Sequence, residues 1–146
     1  MTVPNTPRPR SAHCAVVTQG SDASLFVFGG EFTSPTGSQF YHYAELWRLP
    51  LTVPLAEMEW EHIEAKGGPG PRSGHRMAVW NKRVVVFGGF QDNNRSTPKY
   101  FNDAYVFDLG TYRWSKLTFP AVMMSPDPRS AVQVSACAEG VMISGG

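Results

Sequence analysis

Two histidines stand at equivalent places in the sequence, where a metal-binding pair is one possible role. His13 and His75 each close a Pro-Arg-Ser-x-His motif. A zinc site needs three or four ligands, with partners at close spacing. The other histidines lie in different registers, and Cys14 is a lone thiol beside His13. The pattern therefore favours structural, hydrogen-bonded histidines at the entrance of a strand, and we expect neither a bound metal nor a cofactor.

Three arginines occupy one position of the same repeated motif. Arg10, Arg72 and Arg129 are each followed by serine, as Pro-Arg-Ser. A guanidinium holds a carboxylate in bidentate fashion, so these side chains could form a ring that recognises an acidic partner. They could equally tie down the long loops that follow. The sequence leaves both interpretations open and favours the structural one.

No residues with catalytic spacing accompany these motifs. Asp103 and Asp108 lie at opposite ends of one predicted strand, and neither has a partner at fixed spacing. The sequence contains no nucleophile elbow and no phosphate-binding loop. Trp60 and Trp114 could stack on a ligand, but their recurrence once per repeat favours packing between repeats. We therefore predict a protein that is not an enzyme.

An apolar run that ends on a glycine pair occurs three times and organises the chain. The runs are residues 25–30, 84–89 and 141–146, and their glycine pairs lie 59 and 57 residues apart. A fixed period of this size indicates a repeat architecture. Runs that are apolar on both faces predict strands buried on both faces. The predicted structural signature comprises Gly29, Gly30, Gly88, Gly89, Tyr105, Gly145 and Gly146 together with His13, His75, Trp60 and Trp114.

Each repeat is predicted to form four short antiparallel strands without helices. A short alternating strand follows each Pro-Arg-Ser motif, and a tight turn leads to the buried second strand, at Asn81-Lys82 and Glu139-Gly140 in the later repeats. Long polar loops carrying aromatic residues come next, at 31–43 and 90–102. Third strands are predicted at 44–49 and 104–109, and half-exposed fourth strands at 59–63 and 113–117. One such sheet cannot cover its own faces, so neighbouring sheets must stack, and radial stacking gives a β-propeller.

Composition narrows the class of partner. The chain has 146 residues, 42% of them apolar, and a net charge of +1 without a basic block, which argues against nucleic acid. No apolar run approaches the ~20 residues needed to cross a bilayer, so we expect no membrane association. The cysteines, Cys14 and Cys137, are expected to be free thiols in a reducing compartment, which favours an intracellular location, cytoplasmic or nuclear.

Taken together, these features resemble the kelch repeat. The shared features are Pro-Arg-Ser-x-His, the glycine pair, the aromatic third strand and the later tryptophan. The resemblance runs from Pro9 onward and departs from the pattern at Val132, where the other repeats carry histidine. It implies an all-β fold, a partial kelch-type β-propeller. The predicted units are an N-terminal tail (1–8), blade 1 (9–66), blade 2 (67–123) and the first half of blade 3 (124–146).

The blade count implies a longer parent protein. A propeller closes with about four to eight blades, so we expect the remaining blades of a longer chain to complete the ring. We also expect the open sheet edge to make the isolated chain prone to aggregation.

The resemblance also implies a function. Kelch propellers bind partners on the face formed by the loops between second and third strands and between fourth and first strands. We therefore expect a non-catalytic module that binds an unidentified protein through this face. The predicted contact residues are Arg10, Ser11, Phe32, Phe40, Tyr41, Arg72, Ser73, Phe90, Arg95, Tyr100, Arg129 and Ser130.

Alternative functions stay open at this stage. One is the substrate-recognition subunit of a ubiquitin ligase, which would need an adaptor-binding segment that the sequence does not display. A more remote one is a copper enzyme similar to galactose oxidase. Its cysteine–tyrosine ligand set cannot be placed on this sequence.

Overall fold

The computed structural model describes residues 5–92 and 97–146, and its regular structure is almost entirely β-strand. A short 3-10 turn at Leu55–Glu57 accompanies the strands. The strands are β1 (Cys14–Val17), β2 (Ser24–Phe28), β3 (Glu31–Thr33), β4 (Phe40–His42), β5 (Leu46–Pro50), β6 (Glu61–Ile63), β7 (Arg76–Trp80), β8 (Arg83–Phe87), β9 (Phe90–Gln91), β10 (Lys99–Tyr100), β11 (Ala104–Asp108), β12 (Arg113–Leu117), β13 (Gln133–Cys137) and β14 (Gly140–Ser144).

The main sheets are the predicted blades. Strands β1, β2, β5 and β6 form one four-stranded antiparallel sheet, and β7, β8, β11 and β12 form a second. In the third repeat β13 pairs with β14 as a two-stranded sheet. The all-β fold with stacked four-stranded sheets is confirmed, and within the described residues the sheets form an open arc. The four-stranded sheets lie within 9–66 and 67–123, although the unit boundaries themselves stay predictions.

The apolar second strands form the core, as their sequence predicts. Val84 and Val86 of β8 are fully buried against the first sheet, where Phe26 and Phe28 face them. The opposite face of the second sheet contributes to a smaller cluster with Val132 of the third repeat. Hydrophobic packing thus holds each sheet against the sheet of the next repeat.

The tight turn between β7 and β8 lies at the predicted position. Asn81 and Lys82 have φ of 47° and 56°, the two positive values of a type I′ turn, whose twist matches that of antiparallel strands. In the third repeat the turn lies at Ala138 and Glu139, one residue earlier than the sequence indicated.

The prediction of long loops at 31–43 and 90–102 is wrong in one respect, because each segment contains a small β-hairpin. β3 pairs with β4, placing Phe32 opposite Tyr41, and β9 pairs with β10, placing Phe90 opposite Tyr100. These strands are two or three residues long, and the Ser, Thr and Pro residues around them obscured the alternation. The hairpins project from the edge at which β2 and β8 end.

The third repeat is more exposed than the first two. Met142 on β14 is 63% exposed, whereas the β8 residues Val84 and Val86 are fully buried. No helix in the described part of the chain is both long and apolar enough to cross a membrane.

Candidate interaction surface

The arginine of the first motif forms a clasp within the first sheet. Arg10 Nη1 donates to Gly29 O at 3.1 Å, and Nη2 donates to the Glu45 carboxylate at 2.7 Å. Its guanidinium carbon lies 4.0 Å from the Tyr43 ring centroid, a cation–π contact. Burial alone would raise the pKa of Glu45, but the hydrogen bonds from Arg10 and Trp47 lower it below its usual value. The clasp joins the start of the blade to its glycine pair and third strand.

The second arginine repeats this geometry with deeper burial. Arg72 Nη1 donates to Gly88 O at 3.0 Å, and the fork contacts both Asp103 oxygens, at 2.5 and 3.2 Å. The guanidinium carbon lies 4.0 Å from the Phe101 ring centroid. The Arg72 side chain is 1% exposed and that of Asp103 is 16% exposed. Removing the Asp103 carboxylate would leave the Arg72 charge buried without its partner, which strongly destabilises a folded protein.

The third arginine makes only the backbone part of the clasp. Arg129 Nη1 donates to Gly145 O at 3.0 Å, and Nε donates to Asp127 O at 2.9 Å. Among residues 5–92 and 97–146, no carboxylate lies within salt-bridge distance of its guanidinium.

The expectation that these arginines are exposed contacts for a partner is therefore corrected at two positions. Arg72 and Ser73 are 1% and 0% exposed, because the motif of the second repeat packs against the glycine pair of the first sheet. Arg10 is also largely enclosed, with a side chain 4% exposed. The structural interpretation, in which these arginines hold the strand mouth together, agrees with the contacts.

His75 also serves packing between sheets. It is fully buried, lies edge-on to Phe28 at 5.2 Å, and its Nε2 is 3.0 Å from Phe28 O. In this bond Nε2 carries a proton and donates it to the carbonyl oxygen. Burial, assisted by the positive charge of Arg72, lowers the pKa of His75 to about 3.

His13, its counterpart in the first repeat, is exposed. Its Cα and Cβ instead lie against Gly30, where an added methyl group would come within 3.0 Å of the His13 Cβ. The described residues contain no group of three His, Cys, Asp or Glu side chains positioned to hold a metal ion.

The tryptophans mark the same face of successive sheets. Trp114 packs across the interface, 5.7 Å from Phe28 and 5.1 Å from Phe107. Its indole also lies against Gly68, where an added methyl group would come within 2.8 Å of it. Trp60 is half-buried and lines a shallow depression with Arg10, His13 and Val27. Packing between repeats, predicted for both, is seen for Trp114.

The aromatic residues of the two hairpins are all at least partly exposed, and together we call them the hairpin surface. It consists of Phe32, Phe40, Tyr41, Phe90 and Tyr100. Phe32 contacts Tyr41 at 5.3 Å and Phe90 contacts Tyr100 at 5.8 Å, between ring centroids. All are half-buried except Tyr100, which is 48% exposed. Each aromatic ring is therefore supported on one side and accessible on the other.

A buried histidine that the sequence did not single out joins the two hairpins. His42 lies between Phe40 and Phe90, 5.1 and 5.6 Å from their rings. The Asp92 N–H donates to His42 Nε2 at 2.9 Å. Its only sequence signal was alternation in Phe40-Tyr41-His42, which places His42 on the inward side of its strand. His42 thus links the hairpins of successive repeats.

Glu31 extends the link to the second motif. Ser73 Oγ donates to Glu31 Oε2 at 2.7 Å, and the same oxygen is 3.9 Å from His42 Nδ1. Ser73 is thus a buried connection beneath the hairpin surface rather than part of it.

The remaining predicted contact residues are dispersed. Ser11 is exposed and forms a backbone bridge with Glu31, while Ser130 is half-buried. Arg95 lies outside the described residues. Tyr105 is half-buried, 5.7 Å from the guanidinium carbon of Arg72. Cys14 is partly buried, which raises its thiol pKa, and Cys137 is exposed.

The comparison with protein families agrees with this architecture. The model of the KLHDC2/KLHL20/DRC7 Kelch-repeats domain matches residues 1–146. The chain belongs to the kelch-repeat family, whose members are generally protein-interaction modules.

Individual relatives match parts of longer proteins. Mouse Kelch domain-containing protein 1 is 33% identical over 109 residues, 75% of this chain and 25% of that protein. The N-(sulfonatooxy)prop-2-enimidothioate sulfolyase of Thlaspi arvense is 44% identical over 59 residues, 39% of this chain and 16% of that protein. The chain spans 12% to 25% of the length of the first curated relatives that it matches.

A solved structure shares the fold. The structure of YjhT superposes on 99% of this chain and 36% of its own, with a TM-score of 0.66 at 20% identity. At this identity the likeness concerns the fold alone.

Proposed function

We propose that this chain is a non-catalytic protein-binding module and that it binds its partner through the hairpin surface. The observation that carries the proposal is the concentration of partly exposed rings on the two hairpins, Phe32, Phe40, Tyr41, Phe90 and Tyr100. Aromatic side chains dominate binding hot spots because they supply large apolar area at small entropic cost.

The rigidity of the two hairpins supports the proposal in addition to their aromatic composition. The His42–Asp92 bond and the Ser73–Glu31 bond fix the hairpins to each other and to the buried second motif. A surface held in its bound shape loses less conformational entropy on association. The burial of Arg72 makes the aromatic residues, rather than the arginines, the anchors of this proposal.

An enzymatic function has less support on this chain. One relative is named as a sulfolyase, yet its match covers 39% of the chain. The polar groups of Arg10, Arg72 and His75 that face inward are bound to backbone carbonyls and neighbouring carboxylates. The role as a ubiquitin-ligase subunit and the intracellular location remain hypotheses. The stretches 28–32, 39–43 and 72–77 also resemble kelch domain-containing protein 4, and we propose that closer relationship.

Selection from a displayed library of random 16-residue peptides tests the proposal. Peptides selected on the 146-residue chain are measured against Tyr41→Ser and Tyr100→Ser variants. Loss of one hot-spot ring costs about 2 kcal/mol or more, which corresponds to at least roughly 30-fold weaker binding.

Leu55→Ser is the matched control. Leu55 is 62% exposed and lies in the β5–β6 connection, at the end of the first sheet opposite the hairpins. We expect it to leave peptide affinity unchanged. The proposal fails if no peptide is enriched, or if Leu55→Ser weakens binding while the tyrosine variants do not.

A further inference from the structure

A ring nitrogen of His42 is buried between the two hairpins without a hydrogen-bond partner. The His42 side chain has an exposed fraction of 0%, and its Nδ1 is unpaired in the described part of the chain. Buried polar atoms are nearly always hydrogen-bonded, so an unpaired one requires an explanation. The explanation concerns both hairpins, because the ring lies between Phe40 on its own strand and Phe90 on the next hairpin.

The other ring nitrogen has two alternative partners on a single residue. The Asp92 N–H donates to His42 Nε2 at 2.9 Å, and the Asp92 carbonyl oxygen lies 3.0 Å from the same nitrogen. A neutral ring that accepts from this N–H carries its proton on Nδ1. The doubly protonated ring has no acceptor, so it can bind only the carbonyl. Protonation of the ring therefore changes which backbone group of Asp92 it binds.

An acidic side chain faces the unpaired nitrogen. Glu31 Oε2 lies 3.9 Å from His42 Nδ1, and the same oxygen accepts from Ser73 Oγ at 2.7 Å. A carboxylate at this distance favours the positively charged ring and offsets part of the cost of burying its charge. Glu31 is thus a counter-ion placed beside the ring, and Ser73 competes with the ring for its oxygen.

The cations around His42 are engaged with other groups. The titratable and charged side chains on the elements around the ring are Glu31 on β3, Arg72 beside Ser73, Asp92 after β9, and Lys99 and Tyr100 on β10. Arg72 is bound to Asp103, and the Lys99 ammonium lies 5.3 Å from the Phe101 ring centroid. The charged group in ion-pair contact with the His42 ring is the Glu31 carboxylate.

We propose that His42 is a pH-sensitive link between the two hairpins, and that its protonation weakens binding of a partner to the hairpin surface. The effect on binding rests on the proposed function. A proton taken from solvent ends the bond from the Asp92 N–H to Nε2 and directs Nε2–H to the Asp92 carbonyl. It also gives Nδ1–H an ionic partner in Glu31, at the expense of the bond from Ser73. The arrangement of the hairpins then differs from the one that a partner of the neutral state fits.

The Asp92 backbone amide reports on the link without any partner. Its chemical shift is followed in proton–nitrogen correlation spectra of the 146-residue chain from about pH 7.5 to about pH 5.5, where histidine ordinarily changes its charge. We expect one titration step. His42→Gln keeps a side-chain acceptor for the Asp92 N–H but does not titrate in this range, so the step should disappear. His13, His62 and His75 remain in this variant.

Glu31→Gln is a second variant that leaves the histidine in place. The glutamine oxygen still accepts from Ser73, but the counter-ion of the ring is lost. Because a nearby carboxylate favours the charged ring, the step at Asp92 should move to a more acidic pH in this variant. This result keeps the proposal testable if His42→Gln does not fold.

A binding measurement tests the consequence for a partner. A library peptide that lacks His, Asp and Glu is selected on the native chain at about pH 7.5, so that any titration belongs to the chain. We expect about 10-fold weaker binding at pH 5.5, the effect of leaving one buried hydrogen-bonding group unpaired. For His42→Gln the ratio of the affinities at the two pH values should be close to one.

The outcomes separate this proposal from the proposed function. The pH-sensitive link is overturned if the Asp92 amide does not titrate, or if it titrates equally in His42→Gln. Its effect on binding is overturned if the native chain and His42→Gln show the same ratio of affinities. If no peptide is enriched, the proposed function and the effect on binding both fail. A step at Asp92 that is lost in His42→Gln would then still establish the link itself.

Discussion

The glycine pairs allow a direct test of how the sheets are joined. Gly29 and Gly37 have nearly the same backbone conformation, with φ of +66° and +69°. A side chain in this left-handed region costs roughly 1–2 kcal/mol at either position. At Gly37 an added Cβ meets nothing within 4 Å. At Gly29 it would lie 2.7 Å from the Arg72 carbonyl oxygen and 2.6 Å from His75 Cε1, so the second sheet would have to move.

The two alanine variants therefore separate strain from collision. Overpacking of this kind adds roughly 1–3 kcal/mol. We expect Gly37→Ala to lower the free energy of unfolding by about 1–2 kcal/mol and Gly29→Ala by about 2–5 kcal/mol. Urea unfolding followed by tryptophan fluorescence, on material that is monodisperse by light scattering, measures both. Equal losses for the two variants would refute the docking of the second motif on the first glycine pair.

Three further predictions concern the packed side chains. The pKa of His75 is about 3 in the folded chain and about 6.5 in the unfolded chain, so between these values the unfolded state binds more protons. The free energy of unfolding should therefore be highest above pH 6.5 and fall by about 1.4 kcal/mol per pH unit toward pH 3. Urea melts at a series of pH values should show this slope, and His75→Gln should remove it. Arg72→Gln should cost about 3 kcal/mol because it leaves a carboxylate partly buried, whereas Arg129→Gln should cost under about 1 kcal/mol, and equal costs in denaturant titrations would contradict the clasp. Trp114→Ala should lower the free energy of unfolding by about 3 kcal/mol and Trp60→Ala by about 1 kcal/mol, since only the Trp114 ring is packed between two sheets. A lower melting temperature for Trp60→Ala than for Trp114→Ala would count against this packing.

The sheet architecture could be predicted from the sequence because the same strand pattern recurs in each repeat. The apolar run ending in glycine corresponds to β2, β8 and β14, and its recurrence predicts the period of the repeat. The tight two-residue turn at Asn81-Lys82 was also predicted, although its type was not. Such features are local, and the same local pattern occurs more than once.

The contacts that form the site were harder to predict, because they join residues distant in the sequence. Arg72 was a candidate contact residue as well as a structural one, and its burial depends on Gly88 and Asp103, which lie later in the chain. His42 has no repeated counterpart to draw attention to it, and its partner Asp92 lies 50 residues away. The hairpins themselves are only two or three residues per strand, too short for periodicity to stand out from the turn residues around them.

The central claim is that the hairpin surface receives a protein partner. Hydrogen–deuterium exchange on the chain, with and without a selected library peptide at saturating concentration, tests it most directly. If the partner binds there, new protection is expected at residues 31–42, 90–92 and 97–100, with no change in the β5–β6 connection at 51–60. Protection confined to residues 51–60, with the hairpins unaffected, would contradict it.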